Sequence, residues 1–302
     1  MSPARPLALA LALAACSDPP GRPRPNPTAD VPRADVAADA APDDVTADAA
    51  PDDVTADAVT ADAANDAPSD AAPDVATARL RVLFVGNSYT YYNDLPMIVS
   101  RIGDAAARAG RGPSIESASV AVGGATIRNH WDTGDAPRRI MSESWDAVVL
   151  QGQSVEPALN FTEFRTYGVR FGMLANTYRA RPVYYATWPR RAGDAVYMES
   201  WSGGTPEAFN GRLHTAYSQV AAQVMGAVAP VGNVWMAALA ARPSVTLYDA
   251  DGSHPSPSGS WLAACVLYRA LAGVAAPPES DGAATGVAPA DARALRELAS
   301  AP

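Results

Sequence analysis

The 302-residue chain contains no lysine: all 23 of its basic residues are arginine. We read this as compositional bias, and no basic patch with interleaved aromatics occurs, so nucleic acid is not an expected partner. The only two cysteines are Cys16 and Cys265. If Cys16 is committed elsewhere, no disulfide framework is available and the fold must rest on its core. Cys265 lies in the apolar run WLAACVLY, the setting of a small buried hydrophobe, and nothing around it supplies a base. Histidines are also scarce: there are three, His130, His214 and His254, and His214 lies within a helical pattern as a surface or packing residue.

Residues 17–78 lack aromatics and consist mostly of Ala, Asp, Pro, Val and Thr, with the nonapeptide APDDVTADA at 41–49 repeated at 50–58. Such a segment cannot bury enough apolar surface to offset the entropy of ordering, so it is expected to be a disordered tether. Its net charge is −11, against about +1 for residues 79–302. The acidic character of the chain therefore belongs to the tether and carries no information about a substrate.

The tether is preceded by MSPARPLALALALAAC, residues 1–16, which has the layout of a signal peptide and is too short to span a bilayer as a mature helix. Its end, Leu13-Ala14-Ala15-Cys16, resembles the bacterial lipobox, which implies acylation of Cys16 and anchoring to a membrane. Ser17 does not resemble the usual inner-membrane retention residue. The expected location is therefore the cell envelope, at the outer membrane.

From residue 79 the pattern changes to alternating strands and amphipathic helices. LRVLFVG (80–86) and DAVVLQ (146–151) read as strands buried on both faces, SIESASVAV as a further strand ending at Gly123-Gly124, and RPVYYATW as one ending at Trp188. Asn93-Asp94-Leu95-Pro96 supplies a polar cap and a helix start. FTEFRTYGVRFGMLANTYRA, PEAFNGRLHTAYSQVAAQVMGAVA and SPSGSWLAACVLYRALAG read as helices, PVGNVW as a late strand, and 189–205 as an irregular surface insertion. The alternation predicts an α/β fold, a three-layer α/β/α sandwich around a mostly parallel sheet, formed by residues 79–302.

In such sheets chemistry gathers at the carboxyl ends of strands. Ser88 sits on the turn directly after VLFVG, Gly123-Gly124 offers close backbone approach, and Gln151-Gly152-Gln153-Ser154 brings side-chain amides to a third strand end. Asp251-Gly252-Ser253-His254 supplies a base and its orienting carboxylate within one turn. These residues together have the makings of a nucleophile, a base and an oxyanion hole. Trp131, Trp188 and Trp201 are candidates for stacking on sugars, and His130 for lining the pocket.

VLFVGNSYT, AVGGAT, DAVVLQGQS and DGSHPSPSG resemble, in order, the four sequence blocks of the SGNH (GDSL-like) hydrolases. The resemblance covers most of residues 80–270 and implies a flavodoxin-like SGNH fold with Ser88 as nucleophile, His254 as base and Asp251 as its partner. It also implies an oxyanion hole of Ser88, Gly124 and either Gln151 or Gln153. Asn87 stands where many members have aspartate, and no asparagine follows Gly152. QGQS looks closer to the QGE-type block of carbohydrate acetylesterases, which tilts the expected substrate toward O-acetyl esters on polysaccharide. No cofactor or metal is called for. Two other readings are a non-catalytic glycan-binding lipoprotein on the same fold and a lipase or thioesterase for longer acyl chains.

Overall fold

The computed structural model describes residues 78–301. The expected signal peptide and all but the last residue of the expected tether lie outside the described residues. The chain order is β1 (Arg79–Gly86), α1 (Ser88–Tyr91), α2 (Leu95–Arg108), β2 (Ser114–Ala121), α3 (Ile127–Thr133), α4 (Asp135–Ser142) and β3 (Ala147–Leu150). There follow α5 (Glu156–Leu159), α6 (Phe161–Thr177), β4 (Arg181–Tyr185), α7 (Pro206–Gln223), β5 (Ala227–Ala229), α8 (Val231–Ala241), α9 (Pro257–Ala272) and α10 (Pro289–Ser300).

The five strands form one sheet in the order β2-β1-β3-β4-β5, every pairing parallel. The apolar runs read as doubly buried strands are so because successive side chains alternate between two cores. Val82 and Phe84 of β1 join residues of α2, α8, α9 and α10 on one face. Leu83 and Val85 join residues of α3, α4, α6 and α7 on the other. The chain is thus an α/β/α sandwich. β1 pairs with β2 on one side and β3 on the other, so the strand order reverses at β1 and a crevice opens beyond its carboxyl end. Ser88 is the second residue after that strand.

One expected element is corrected. PVGNVW is the start of α8 and not a strand; the strand of that region is the three-residue AVA at 227–229, at the end of the run expected to be helix, and α7 stops at Gln223. Val231, Trp235 and Ala238 recur at helical spacing and are all buried, and Pro230 occupies the N-cap position. RPVYYATW leaves the sheet at Tyr185, three residues before Trp188. The α2 start is where expected, but its cap is not a side-chain cap: Asn93 and Asp94 have φ of +51° and +58°, and Asp94 makes no capping bond. Asn93 instead donates from Nδ2 to Pro255 O (2.9 Å) and Ser260 Oγ (3.0 Å), tying this turn to the segment after His254.

Candidate active site

The turn that carries Ser88 is built around Asn87 and Gln151. Asn87 Oδ1 accepts from the Tyr89 N–H (3.1 Å) and Asn87 Nδ2 donates to Ala125 O (3.1 Å). Gln151, fully buried, has Oε1 accepting from the Asn87 N–H (2.9 Å) and the Thr90 hydroxyl (2.8 Å). Its Nε2 donates to Asn87 Oδ1 (3.0 Å) and to Gly152 O. A side chain at Gly86 would place Cβ 2.2 Å from Thr90 Oγ1 and 2.5 Å from Gln151 Oε1, so this tightly bonded turn admits only glycine there.

Gln151 is one of the two glutamines expected to supply the third oxyanion donor, beside Ser88 and Gly124. Both of its amide hydrogens are spent on internal acceptors, so it shapes the Ser88 turn and has nothing left to give a substrate. His130 is likewise withdrawn from the pocket: buried, it donates from Nε2 to Gly86 O (2.7 Å), and burial lowers its pKa.

Ser88 and His254, 166 residues apart, are both buried and meet with Ser88 Oγ 2.8 Å from His254 Nε2. His254 Nδ1 lies 2.5 Å from Asp251 Oδ2. With Nδ1–H donating to the carboxylate, Nε2 is the acceptor that faces the Ser88 hydroxyl. Asp251 Oδ1 also accepts from the backbone N–H groups of Ser253 (2.8 Å) and His254 (2.9 Å). Its partial burial would raise the carboxyl pKa; the bonds from the His254 ring and these two N–H groups outweigh that and hold it below the usual range. The Asp251 side chain is 48% exposed, so this carboxylate faces water on one side.

Aromatic rings hold the histidine loop in place. Trp188, buried and therefore unavailable to stack on a sugar, lies between Tyr89 (centroids 4.6 Å, planes 7° apart) and Trp235 (4.2 Å, 9°). Trp188 Nε1 donates to Ser253 O (3.0 Å), and the Tyr89 hydroxyl lies 2.8 Å from Ser253 Oγ. Tyr92 stacks on the His254 ring at 4.1 Å and 13°. The Trp131 ring packs against Phe171 and Tyr167, and that of Trp201 against Phe209.

The glycine loop and the third strand end are joined by a carboxyl that the sequence did not mark. Glu156, 4% exposed, accepts at Oε2 from the N–H groups of Gln153 (2.8 Å) and Ile127 (3.2 Å), while its Oε1 is buried with no hydrogen-bond partner among the described residues. Burial pushes its pKa up to about 7, against the pull of those two N–H groups. Gly124 has φ +70°, which favours glycine, and its N–H has no acceptor among the described residues. A Cβ on Gly123 would lie 3.1 Å from the Tyr91 hydroxyl, so this loop lies against α1. Gln153 Oε1 accepts from the Val155 N–H (2.9 Å); unlike Gln151, its Nε2 is not committed among the described residues.

No family model matches the chain, and no curated protein does. A solved structure from Slackia heliotrinireducens, assigned to the SGNH hydrolases, is 31% identical, with a TM-score of 0.54, over 99% of its own length and 64% of this chain. This chain belongs to the SGNH hydrolase family. The fold is shared with a more distant DUF4886 family protein from Bacteroides uniformis, 15% identical with a TM-score of 0.56 over 73% of this chain and 93% of that one. It is shared also with a variant of an acetyl-xylooligosaccharide esterase from Geobacillus, 12% identical with a TM-score of 0.50 over 65% and 95%. Against this SGNH frame the remaining polar candidates fall away. Cys265 is buried in α9 with its thiol pKa pushed well up by burial, and His214 lies on α7 beside Asn233. No group of three or more His, Cys, Asp or Glu side chains is arranged to hold a metal ion among the described residues.

Proposed function

We propose that this SGNH hydrolase is a serine esterase. The observation that carries the reading is the continuous Ser88–His254–Asp251 hydrogen-bond chain at the switch point of the sheet. Ser88 Oγ attacks the ester carbonyl carbon while His254 Nε2 takes its proton, and Asp251 stabilises the imidazolium. The carbonyl π electrons move to oxygen, where the N–H groups of Ser88 and Gly124 and the Gln153 amide are the proposed donors. Collapse of the tetrahedral intermediate breaks the bond to the alcohol, which leaves with the His254 proton. Water, deprotonated by His254, then attacks the acyl-enzyme, and Ser88 departs with the proton.

Short acyl groups on carbohydrate are the proposed substrate class. The QGQS block and the fold shared with an acetyl-xylooligosaccharide esterase support it. Release of acetate from acetylated xylan, compared with release of long-chain acid from a matched aryl ester, tests the class. Preference for the long chain would support a lipase or thioesterase in its place.

We also propose that Cys16 is acylated and that residues 17–78 tether the domain to the envelope, at the outer membrane, on the strength of the lipobox-like LAAC and the acidic repeat. Incorporation of a clickable fatty acid that is lost in Cys16→Ser checks the anchor; equal labelling of both chains contradicts it.

A further inference from the structure

Arg190 follows Trp188-Pro189, beyond the carboxyl end of β4, and is half-buried. Its guanidinium has five N–H donors. Nη2 donates to Ser154 Oγ (2.9 Å), and no carboxylate lies within ion-pair distance of it among the described residues. By contrast, Arg128 and Arg139 are each held by carboxylates.

The position of this cation relative to the triad follows from its neighbours. Ser154 belongs to the β3 end, next to Gln153, and its side chain lies near the hydroxyl of the buried Tyr89. That hydroxyl feels the Arg190 charge and reaches Ser253 Oγ, inside the Asp251–His254 loop. Tyr89 directly follows Ser88, and its ring meets that of His254 edge-on at 5.7 Å. The neighbouring Arg191 binds the outside of the same loop, its N–H to Gly252 O (2.9 Å) and its Nη2 to Ala250 O (3.2 Å). Arg190 therefore stands between the third strand end and the histidine loop, on the border of the catalytic crevice.

A partly desolvated guanidinium with one neutral acceptor is poorly compensated, and the group that satisfies its planar fork best is a carboxylate. We propose that Arg190 is an anion subsite and that the preferred ester carries a carboxylate close to the scissile bond. This rests on the esterase reading. The carboxylate can belong to either side of the ester: to the acyl group, as in a dicarboxylic acid monoester, or to the alcohol, as in an acylated uronic acid. The bond to Ser154 orients the fork, which leaves its remaining N–H groups for the ligand.

The test uses the full chain and two substrate pairs. The acyl arm compares 4-nitrophenyl hydrogen glutarate with 4-nitrophenyl pentanoate. The alcohol arm compares the 3-O-acetyl ester of methyl glucuronide with that of methyl glucoside. In at least one arm kcat/KM is expected to favour the anion by about tenfold or more. That ratio should shrink as salt is raised and fall to near one in Arg190→Met, while Arg190→Lys keeps part of it. Turnover of the neutral esters with no preference for either anion, or a preference unchanged in Arg190→Met, overturns the proposal and leaves the esterase reading standing. If no ester is turned over, the esterase reading fails. The subsite is then read by titration calorimetry with free glutarate and glucuronate: binding lost in Arg190→Met supports it, and absence of binding of both overturns it.

Discussion

The Tyr92 ring lies face to face with the His254 imidazole, four residues along the chain from the serine that the imidazole contacts. One short stretch thus supplies both the proposed nucleophile and a wall for its proposed base. Since Asp251 is half in water, this stacked face contributes to confining the histidine. Aromatic contacts of this kind contribute about 0.5–1.5 kcal/mol. Tyr92→Leu should lower kcat/KM for an aryl acetate by roughly 3–10-fold, and Tyr92→Phe, which keeps the ring, by much less. Steady-state kinetics on both variants checks this; a Leu variant as active as the parent chain contradicts it.

Gln151 holds the Ser88 turn through three hydrogen bonds, two with Asn87 and one with Thr90, in a fully buried site. Gln151→Leu strands the Asn87 N–H and the Thr90 hydroxyl, at about 1–3 kcal/mol per orphaned group. We expect a fall in melting temperature of roughly 5–10 °C together with loss of activity. Unchanged melting with slower acylation alone would return Gln151 to the oxyanion hole.

Glu156 makes stability depend on pH. Its folded pKa, about 7, lies above the ordinary carboxyl value because burial disfavours the charge. The unfolded chain therefore gives up this proton more readily. Stability from this group is present in full below about pH 4 and is lost as pH rises through 7, by an amount on the order of 2–3 kcal/mol. Urea titrations between pH 5 and 8.5 should show the parent chain weakening relative to Glu156→Gln as pH rises. Parallel pH profiles for the two contradict the assignment.

What could be read in the sequence was what is local. Ser88 after a strand, Asp251 three residues before His254 and the glycine pair are each contained in a few residues, and the alternating runs of β1 and β3 announce a doubly covered sheet. PVGNVW misled because its valines suit a strand, while the helical recurrence of buried Val231, Trp235 and Ala238 extends past that window. Gln151 misled for a different reason: its main partner, Asn87, is 64 residues away, and only the closed turn shows that its amide is already used. Glu156 and Arg190 carried no motif, since their significance comes from burial and from partners on other elements.

The central claim is that Ser88 is activated by His254. The most direct measurement is the rate of 4-nitrophenyl acetate hydrolysis by the purified full chain and by Ser88→Ala, with covalent labelling by a fluorophosphonate followed in parallel. The account predicts turnover and labelling at Ser88 in the parent chain, both reduced by at least about 10³-fold in the variant. Equal rates in the two chains, or a parent chain that neither hydrolyses any acyl ester nor reacts with the probe, would contradict it.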